Sequence, residues 1–67
     1  MGQIKIYIPV VGPKTGKGTW YTVNGAKGPD RDEAVRKASK HTGITSGQDE
    51  IKRVDEEDVW EDQWYGR

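Results

Sequence analysis

A strict alternation of apolar residues near the start of the chain constrains the fold more than any other feature. Ile4, Ile6, Ile8 and Val10 occupy every second position. A period of two is the repeat of a β-strand that buries one face, since successive side chains point to opposite sides. This segment is therefore predicted to be a strand, and the domain is expected to be built on a sheet.

A basic, glycine-rich loop follows this strand. Residues 11 to 18, VGPKTGKG, contain three glycines, one proline and two lysines, a composition typical of turns. The next segment, Thr19 to Asn24, is rich in β-branched and aromatic residues and is followed by Gly25, which predicts a second strand. The two strands are expected to pair as a hairpin.

The two patterns also predict a register for this hairpin. With Ile6 opposite Tyr21, the adjacent pair is Tyr7 opposite Trp20, and Lys5 lies on the same face as Tyr7. This register gives the sheet one apolar face and one face that is aromatic and basic.

A helix is predicted to begin after Asp30. Glu33 follows three residues later, which is the spacing of a capping box in which the Asp30 carboxylate accepts from the first amides of the helix. Gly43 stands where a left-handed C-terminal cap is expected, so the helix should end near Thr42. The helix is expected to pack through a narrow stripe of small residues: Ala34, Val35 and Ala38.

The segment after this helix has two interpretations. Ile51 and Val54 are three positions apart, which fits a helix as well as it fits a strand with a bulge. We favour a strand from Glu50 to Asp55, because a hairpin and one helix alone bury too little area to be stable. Asp55 to Asp58 is then expected to be an acidic turn.

The sequence therefore predicts an α+β fold: a three-stranded, mainly antiparallel sheet with one helix on one face, in the order ββαβ. Residues 1–58 are expected to form a single small domain, and residues 59–67 an aromatic and acidic C-terminal tail. Two interpretations of this tail are open. Either its Trp residues fold back over the sheet face of Tyr7 and Trp20, which we favour, or the tail is a docking segment that orders on contact with a partner.

The composition limits the chain to one small domain. Sixty-seven residues hold one thin core. The lack of cysteine excludes a disulfide framework and favours a reducing compartment. Because no basic segment leads into an apolar stretch at the start, we expect neither a signal peptide nor a membrane span, and a cytoplasmic location.

The sequence offers little to catalysis. Residues 12 to 19, GPKTGKGT, are similar to a phosphate-binding loop, but three rather than four residues separate the first two glycines, and a strand rather than a helix follows. His41 is the only histidine, and its spacing to other residues suggests no metal site. No nucleophile is accompanied by a positioned base. We therefore expect no enzyme activity, no metal and no cofactor.

The charge of the chain is divided between its two parts. Residues 1 to 40 carry eight basic and three acidic side chains, and residues 41 to 67 carry three basic and eight acidic ones. Carboxylates beside Trp anchors suit a surface that binds a protein with a basic patch. We predict a non-catalytic protein-binding module, a monomer or weak homo-oligomer. Its predicted binding residues are Asp49, Glu50, Asp55, Glu56, Glu57, Asp58, Trp60 and Trp64.

A nucleic-acid-binding module is the alternative interpretation. It combines positive charge with rings able to stack on bases, although the acidic half of the chain repels phosphate. A third interpretation is an assembly component of a larger particle, with the tail as an intersubunit clamp. The residues predicted for nucleic-acid binding are Lys5, Tyr7, Lys14, Lys17 and Trp20.

The order of the elements resembles that of a group of small phage proteins. A hairpin ending in WYTV, a capped helix carrying DEAV and a strand carrying IKRV follow one another within residues 4 to 55. This order is similar to that of the ββαβ proteins with which phages disable host machinery, such as the RNA polymerase inhibitor of T7-like phages. The resemblance implies no catalytic residue. It implies an inhibitor whose acidic surface meets a basic patch of a host enzyme. The basic loop and the Trp-containing tail depart from this pattern. The carboxylates that match the acidic surface are Asp49, Glu50, Asp55, Glu56, Glu57 and Asp58.

Overall fold

The computed structural model describes residues 2 to 66, so the first residue of the predicted domain and the last residue of the predicted tail lie outside the described part. The strands form one antiparallel sheet in the order β2-β1-β3, which confirms the α+β class and the three-stranded sheet. Within residues 2 to 66 no helix has the length and apolar character needed to cross a membrane. The elements are β1 (Gln3–Pro13), β2 (Tyr21–Thr22), a 3-10 turn (Asn24–Ala26), α1 (Arg31–Ala38), α2 (Thr42–Thr45), β3 (Asp49–Trp60) and α3 (Glu61–Tyr65).

β1 is the central strand, and it pairs with β3 from Gln3 to Pro13. Its odd-numbered residues direct their backbone groups away from β3. Tyr7 exchanges two backbone hydrogen bonds with Gly28, of 2.8 and 3.1 Å, and the carbonyl of Pro9 accepts from the N–H of Val23 at 3.4 Å. Pro9 is tolerated in a central strand because the N–H that it lacks would point away from β3.

The predicted register of the first hairpin is wrong. Val11, rather than Ile6, lies opposite Tyr21. From Ile6 to Val11 the displacement is five positions, and an odd displacement exchanges the two faces of a strand. The cause is that the first residues of the predicted loop, up to Pro13, belong to β1. β3 pairs with this part of β1 on the side opposite to β2. Tyr7 consequently lies beside Gly28 instead of facing the second strand.

The start of the helix is confirmed by its cap. The Asp30 Oδ1 atom accepts a hydrogen bond from the backbone N–H of Glu33 at 3.2 Å. The predicted stripe of small residues faces inward, since Ala34 and Ala38 are 1% and 0% exposed. α1 packs through them against β1 and the 3-10 turn.

The predicted end of this helix is wrong. α1 ends at Ala38, and Gly43 lies inside the short helix α2 rather than in a left-handed cap. The glycine with a positive φ in this region is Gly47, which follows α2 and has a φ of 83°. Space, not backbone conformation, requires a glycine at position 43, because a Cβ there would collide with the carboxylate of Asp49 and approach the Tyr21 hydroxyl to 3.1 Å.

The closing strand is confirmed, together with the bulge that the spacing of its apolar residues indicated. Val10 lies opposite Arg53 and Val11 lies opposite Ile51, which leaves Lys52 as the extra residue. β3 runs from Asp49 to Trp60, so it is longer than the predicted strand at both ends.

The acidic turn predicted from Asp55 to Asp58 is wrong, because these four residues continue β3. They lie opposite the segment of β1 from Lys5 to Ile8. The low strand propensity of Asp and Glu is outweighed because β1 extends to Gln3 and offers a backbone partner at every position. The acidic residues therefore alternate between the two faces of the sheet.

The core is small and surrounds the middle of β1. Full burial of one Val or Ile side chain contributes about 1.5–3 kcal/mol, so a few positions hold most of the hydrophobic stabilisation. Ile4 and Ile8 are only half-buried. The apolar residues with less than 5% of their surface exposed are Ile6, Pro9, Val10, Val11, Ala26, Ala34 and Ala38.

The end of the chain combines a strand and a short helix. Trp60 is the last residue of β3, so this strand crosses the predicted boundary between domain and tail. Trp64, in α3, is half-buried and lines one groove with Ala34 and another with Ile6. It lies on the sheet face of Ile6, not on the face of Tyr7 that the tail was expected to cover.

Candidate protein-binding surface

The residues predicted to bind a protein extend along β3 and α3 instead of forming one compact patch. A strand rises about 3.3 Å per residue, so Asp49 lies about 30 Å from Asp58. The longest dimension of the molecule is 43 Å. The predicted set therefore divides into a part beside α2 and a part beside α3, which one small partner surface would not contact together.

Asp49, beside α2, is occupied by an internal hydrogen bond. The Tyr21 hydroxyl donates to Asp49 Oδ2 at 2.8 Å, and the same hydroxyl lies 2.9 Å from His41 Nε2. Because a phenol carries one hydrogen, the Tyr21 oxygen accepts from the Nε2–H of His41. The hydrogen bond to Asp49 raises the pKa of Tyr21, and desolvation and the negative charge of Asp49 add to this effect. These three residues join β2, α2 and β3, and sequence reasoning missed the group.

Glu50 is also engaged within the chain. Its Oε2 atom lies 2.8 Å from the ammonium of Lys52, and this hydrogen bond lowers the pKa of Glu50 below its usual value. Asp49 and Glu50 therefore serve contacts inside the domain. Their assignment as binding residues stays a prediction, and nothing in their geometry adds to it.

We call the four residues Asp55 to Asp58 the acidic segment. Two of them form ion pairs: Asp55 with Arg53 at 2.8 Å, and Glu56 with Lys5 at 3.3 Å. All four of these side chains are about half exposed, so each pair contributes little to stability. The hydrogen bond and the charge of Glu56 raise the pKa of Lys5.

Within residues 2 to 66, the other half of the acidic segment forms no ion pair. Among residues 2 to 66, Glu57 and Asp58 have no basic nitrogen within 4.0 Å. Asp58 lies directly opposite Lys5, and its negative charge also raises the pKa of Lys5. Glu57 lies opposite Ile6 on the other face. The acidic segment thus presents negative charge on both faces of β3.

The two Trp residues near the acidic segment differ in exposure. Trp60 is 50% exposed and shares a face with Glu56 and Asp58, because alternate residues of a strand point the same way. Trp64 is half-buried against Ile6 and the N-terminal part of α1. Trp60 is therefore accessible at the surface, whereas Trp64 belongs to the packing of the domain.

The residues predicted for nucleic-acid binding lie in separate places. Trp20 rests on Gly12, five positions along β1 from Tyr7, which corresponds to about 16 Å. Lys5 forms its ion pair with Glu56. Lys14 and Lys17, which complete the predicted set, are exposed in the loop after β1.

Two basic residues that sequence reasoning missed lie beside Trp20. The Lys52 ammonium and the Arg53 guanidinium are 5.6 and 5.5 Å from the centre of the Trp20 ring, within reach of a cation–π interaction. The bulge at Lys52 brings both cations to the ring. The spacing of Ile51 and Val54 was the signal for this bulge.

A groove of about 270 Å³ lies between the start of α1 and α3, where Trp64 and Tyr65 face Lys27 and Glu33. Within residues 2 to 66, no three His, Asp or Glu side chains are grouped closely enough to hold a metal ion. The surface features are thus the acidic segment with Trp60 and the cationic surroundings of Trp20.

Comparison of the chain with protein-family models, with curated proteins and with solved structures finds no match.

Proposed function

We propose that this chain is a non-catalytic protein-binding module that engages a basic surface of its partner through the acidic segment and Trp60. The observation that carries the proposal is the arrangement of Glu56, Asp58 and Trp60 on one face of β3, with Trp60 half exposed. An exposed Trp beside charges is the usual composition of an interface anchor and its rim. Negative charge that is not paired internally also speeds encounter with a basic partner.

The proposal includes a role as an inhibitor of a host enzyme or complex, of the kind that phages and mobile elements encode. This part rests on the resemblance in the order of elements described above. A cysteine-free chain suits a reducing compartment, so we propose that the module acts in the cytoplasm.

A matched pair of charge reversals tests the proposal. Asp58→Lys reverses a charge in the acidic segment, and Asp32→Lys makes the same change on the exposed first turn of α1. Tagged chains are used to capture proteins from a bacterial lysate, and each captured protein is then purified and its affinity measured. We expect Asp58→Lys to weaken binding about tenfold and Asp32→Lys to leave it nearly unchanged. Equal affinities for the two variants would show that the acidic segment is not the binding surface.

A second candidate function, binding of single-stranded nucleic acid, is favoured by one observation. Trp20 is 46% exposed and has the cationic groups of Lys52 and Arg53 within 5.6 Å of its ring centre, and exposed rings with cations stack on bases. Its test is the anisotropy of a labelled oligonucleotide of thymidines, with the unsubstituted chain and with Trp20→Ala. Binding that weakens as salt is raised, and that the substitution abolishes, would support this function.

A further inference from the structure

β3 is the long edge of the sheet, and one side of its backbone has no strand beside it within residues 2 to 66. β3 has twelve residues, whereas β2, at the opposite edge, has two. Unpaired N–H and C=O groups along an edge strand are a template for one more strand. The outer side of β3 is therefore a surface for recognition through the backbone.

The hydrogen bonds of β1 identify which groups of β3 point outward. Tyr7 directs its N–H and C=O toward Gly28, away from β3. Its partner on β3, Glu56, is thus in a non-hydrogen-bonded pair, and the N–H and C=O of Glu56 point outward. Alternation along the strand gives the same orientation to Val54, Asp58 and Trp60.

A hydrogen bond of Glu61, the first residue after β3, supports this assignment. The N–H of Glu61 donates to the carbonyl of Gly2 at 2.9 Å, so position 61 points inward and position 60 outward. Within residues 2 to 66, β3 pairs with β1 alone, so the outward groups of Glu56 and Asp58 have no strand partner. Trp60 is the N-cap of α3, so its carbonyl accepts from the first turn of that helix and only its N–H is left on the outer side. Both backbone groups of Glu56 and Asp58, and the N–H of Trp60, are thus available to an added strand.

We propose that the partner docks by adding a strand along the outer edge of β3, and that this strand is an extended basic segment of another protein. This inference rests on the proposed function and specifies its partner. The outward backbone groups of β3 form the hydrogen bonds to the added strand, and the acidic segment favours basic side chains on that strand. Lys or Arg across from each of its four carboxylates makes favourable cross-strand pairs.

A second copy of this chain fits the same edge less well than a basic strand does. In an antiparallel pair, outward positions must face outward positions. In the registers that align the two acidic segments most closely, Glu56 lies opposite Asp58 or opposite Glu56 of the other copy, and like charges directly opposite are destabilising. The acidic segments of two copies thus repel each other when they are aligned, whereas a basic strand makes favourable pairs along the whole segment.

The test uses the full chain and a hexapeptide, Val-Lys-Arg-Lys-Arg-Val, acetylated and amidated at its ends. Its four basic residues match the acidic segment, and its terminal valines match Val54 and Val59. We expect hydrogen exchange of the amides of Glu56, Asp58 and Trp60 to slow when the peptide binds. The amides of inward positions, which β1 already protects, should change little.

Two modified peptides distinguish the contribution of the backbone hydrogen bonds to the affinity from that of charge attraction. In each, one of the two alternate sets of backbone amides is N-methylated, and the charges are unchanged. Only the amides that face β3 donate to it, so we expect one modified peptide to lose about tenfold or more in affinity and the other to bind like the parent. Equal binding of all three peptides, without protection of the outward amides, would overturn the added strand but leave the acidic surface as a binding site. No binding of any of the three would overturn both proposals.

Substitutions in the chain provide an independent comparison. Asp58→Pro removes an outward N–H but no hydrogen bond to β1, and proline is tolerated at such edge positions. Asp58→Asn removes the same charge and keeps the N–H. We expect Asp58→Asn to weaken peptide binding about threefold and Asp58→Pro about tenfold or more. Equal affinities for the two variants would contradict the ladder, and the exchange measurement on the unsubstituted chain decides the question if Asp58→Pro does not fold.

Discussion

The two edges of the sheet are protected in different ways. β2 is the short edge: two residues pair with β1, after which the chain leaves the line of the strand through the 3-10 turn and returns at Gly28. β3 is the long edge, and over its second half only charged side chains oppose the approach of another strand. A strand of two residues offers too little backbone for any partner strand to pair with. Charged side chains, in contrast, repel some partner strands and attract others. The proposed binding edge is thus the one at which charge, and not the length of the strand, limits pairing.

Removal of buried volume from the central strand should have the largest effect, because both edges depend on it. Val11 is 0% exposed and lies opposite Tyr21 of the short edge and Ile51 of the long edge. We expect Val11→Ala to lower the free energy of unfolding by about 2.5 kcal/mol. Val54→Ala is the matched control on β3, where the residue is half-buried, and it should cost less than half as much. Urea denaturation measures both, and equal losses would contradict the view that the stability of the sheet lies in β1.

A smaller loss is expected where α2 approaches β3. A methyl group at position 43 would collide with the carboxylate of Asp49, so Gly43→Ala should lower the free energy of unfolding by about 1–2 kcal/mol. Gly25 has no atom within 4 Å of the place where its Cβ would stand. Gly25→Ala is therefore the matched control and should be neutral or slightly stabilising. If thermal unfolding gave the two variants the same midpoint, the close approach of α2 to β3 would be disproved.

The contacts of Tyr21 predict how the short edge responds to pH. Its pKa is raised because its hydroxyl donates to Asp49. A group whose pKa is higher in the folded than in the unfolded state contributes stability below the unfolded value, about 10 for Tyr, and this contribution is lost as pH rises through the folded pKa. We expect the midpoint of thermal unfolding to fall above pH 10 by more in the unsubstituted chain than in Tyr21→Phe. Parallel pH profiles would show that this hydroxyl does not link the edge to the rest of the domain.

The parts of this fold that were predictable from sequence are those set by local chemistry. The alternation from Ile4 to Val10 predicted β1, and Asp30 with Glu33 predicted the start of α1. The register of the first hairpin was not predictable, because it depends on β3 pairing with Val11 to Pro13 from far along the chain. An alternation reads the same at either register, so the pattern contained no information to choose between them.

The candidate site was predictable in composition and not in arrangement. The concentration of carboxylates beside Trp60 was evident from the sequence, but four consecutive acidic residues indicate a turn until a partner strand is known. The same pairing decides that Glu56 and Asp58 point one way and Glu57 the other. The group formed by Tyr21, His41 and Asp49 left no local signal, because its members come from three separate elements.

The smallest effect is expected from a double variant that allows the long edges of two chains to pair with each other. In the double variant Glu57→Gln with Asp58→Lys, an antiparallel pair of edges centred on position 57 places Lys at 58 opposite Glu56 twice and leaves no like-charged pair at the centre. We expect weak dimers with a dissociation constant on the order of 1 mM, whereas the unsubstituted chain stays monomeric at the same concentrations. Sedimentation equilibrium measures this difference. Glu57→Gln with Asp58→Pro is the control, since it removes the same two negative charges but supplies neither the positive charge nor the outward N–H at position 58, and it should not associate. Dimers of the proline variant would mean that association proceeds through another surface, and the charges of the acidic segment would then not be what keeps the long edge free.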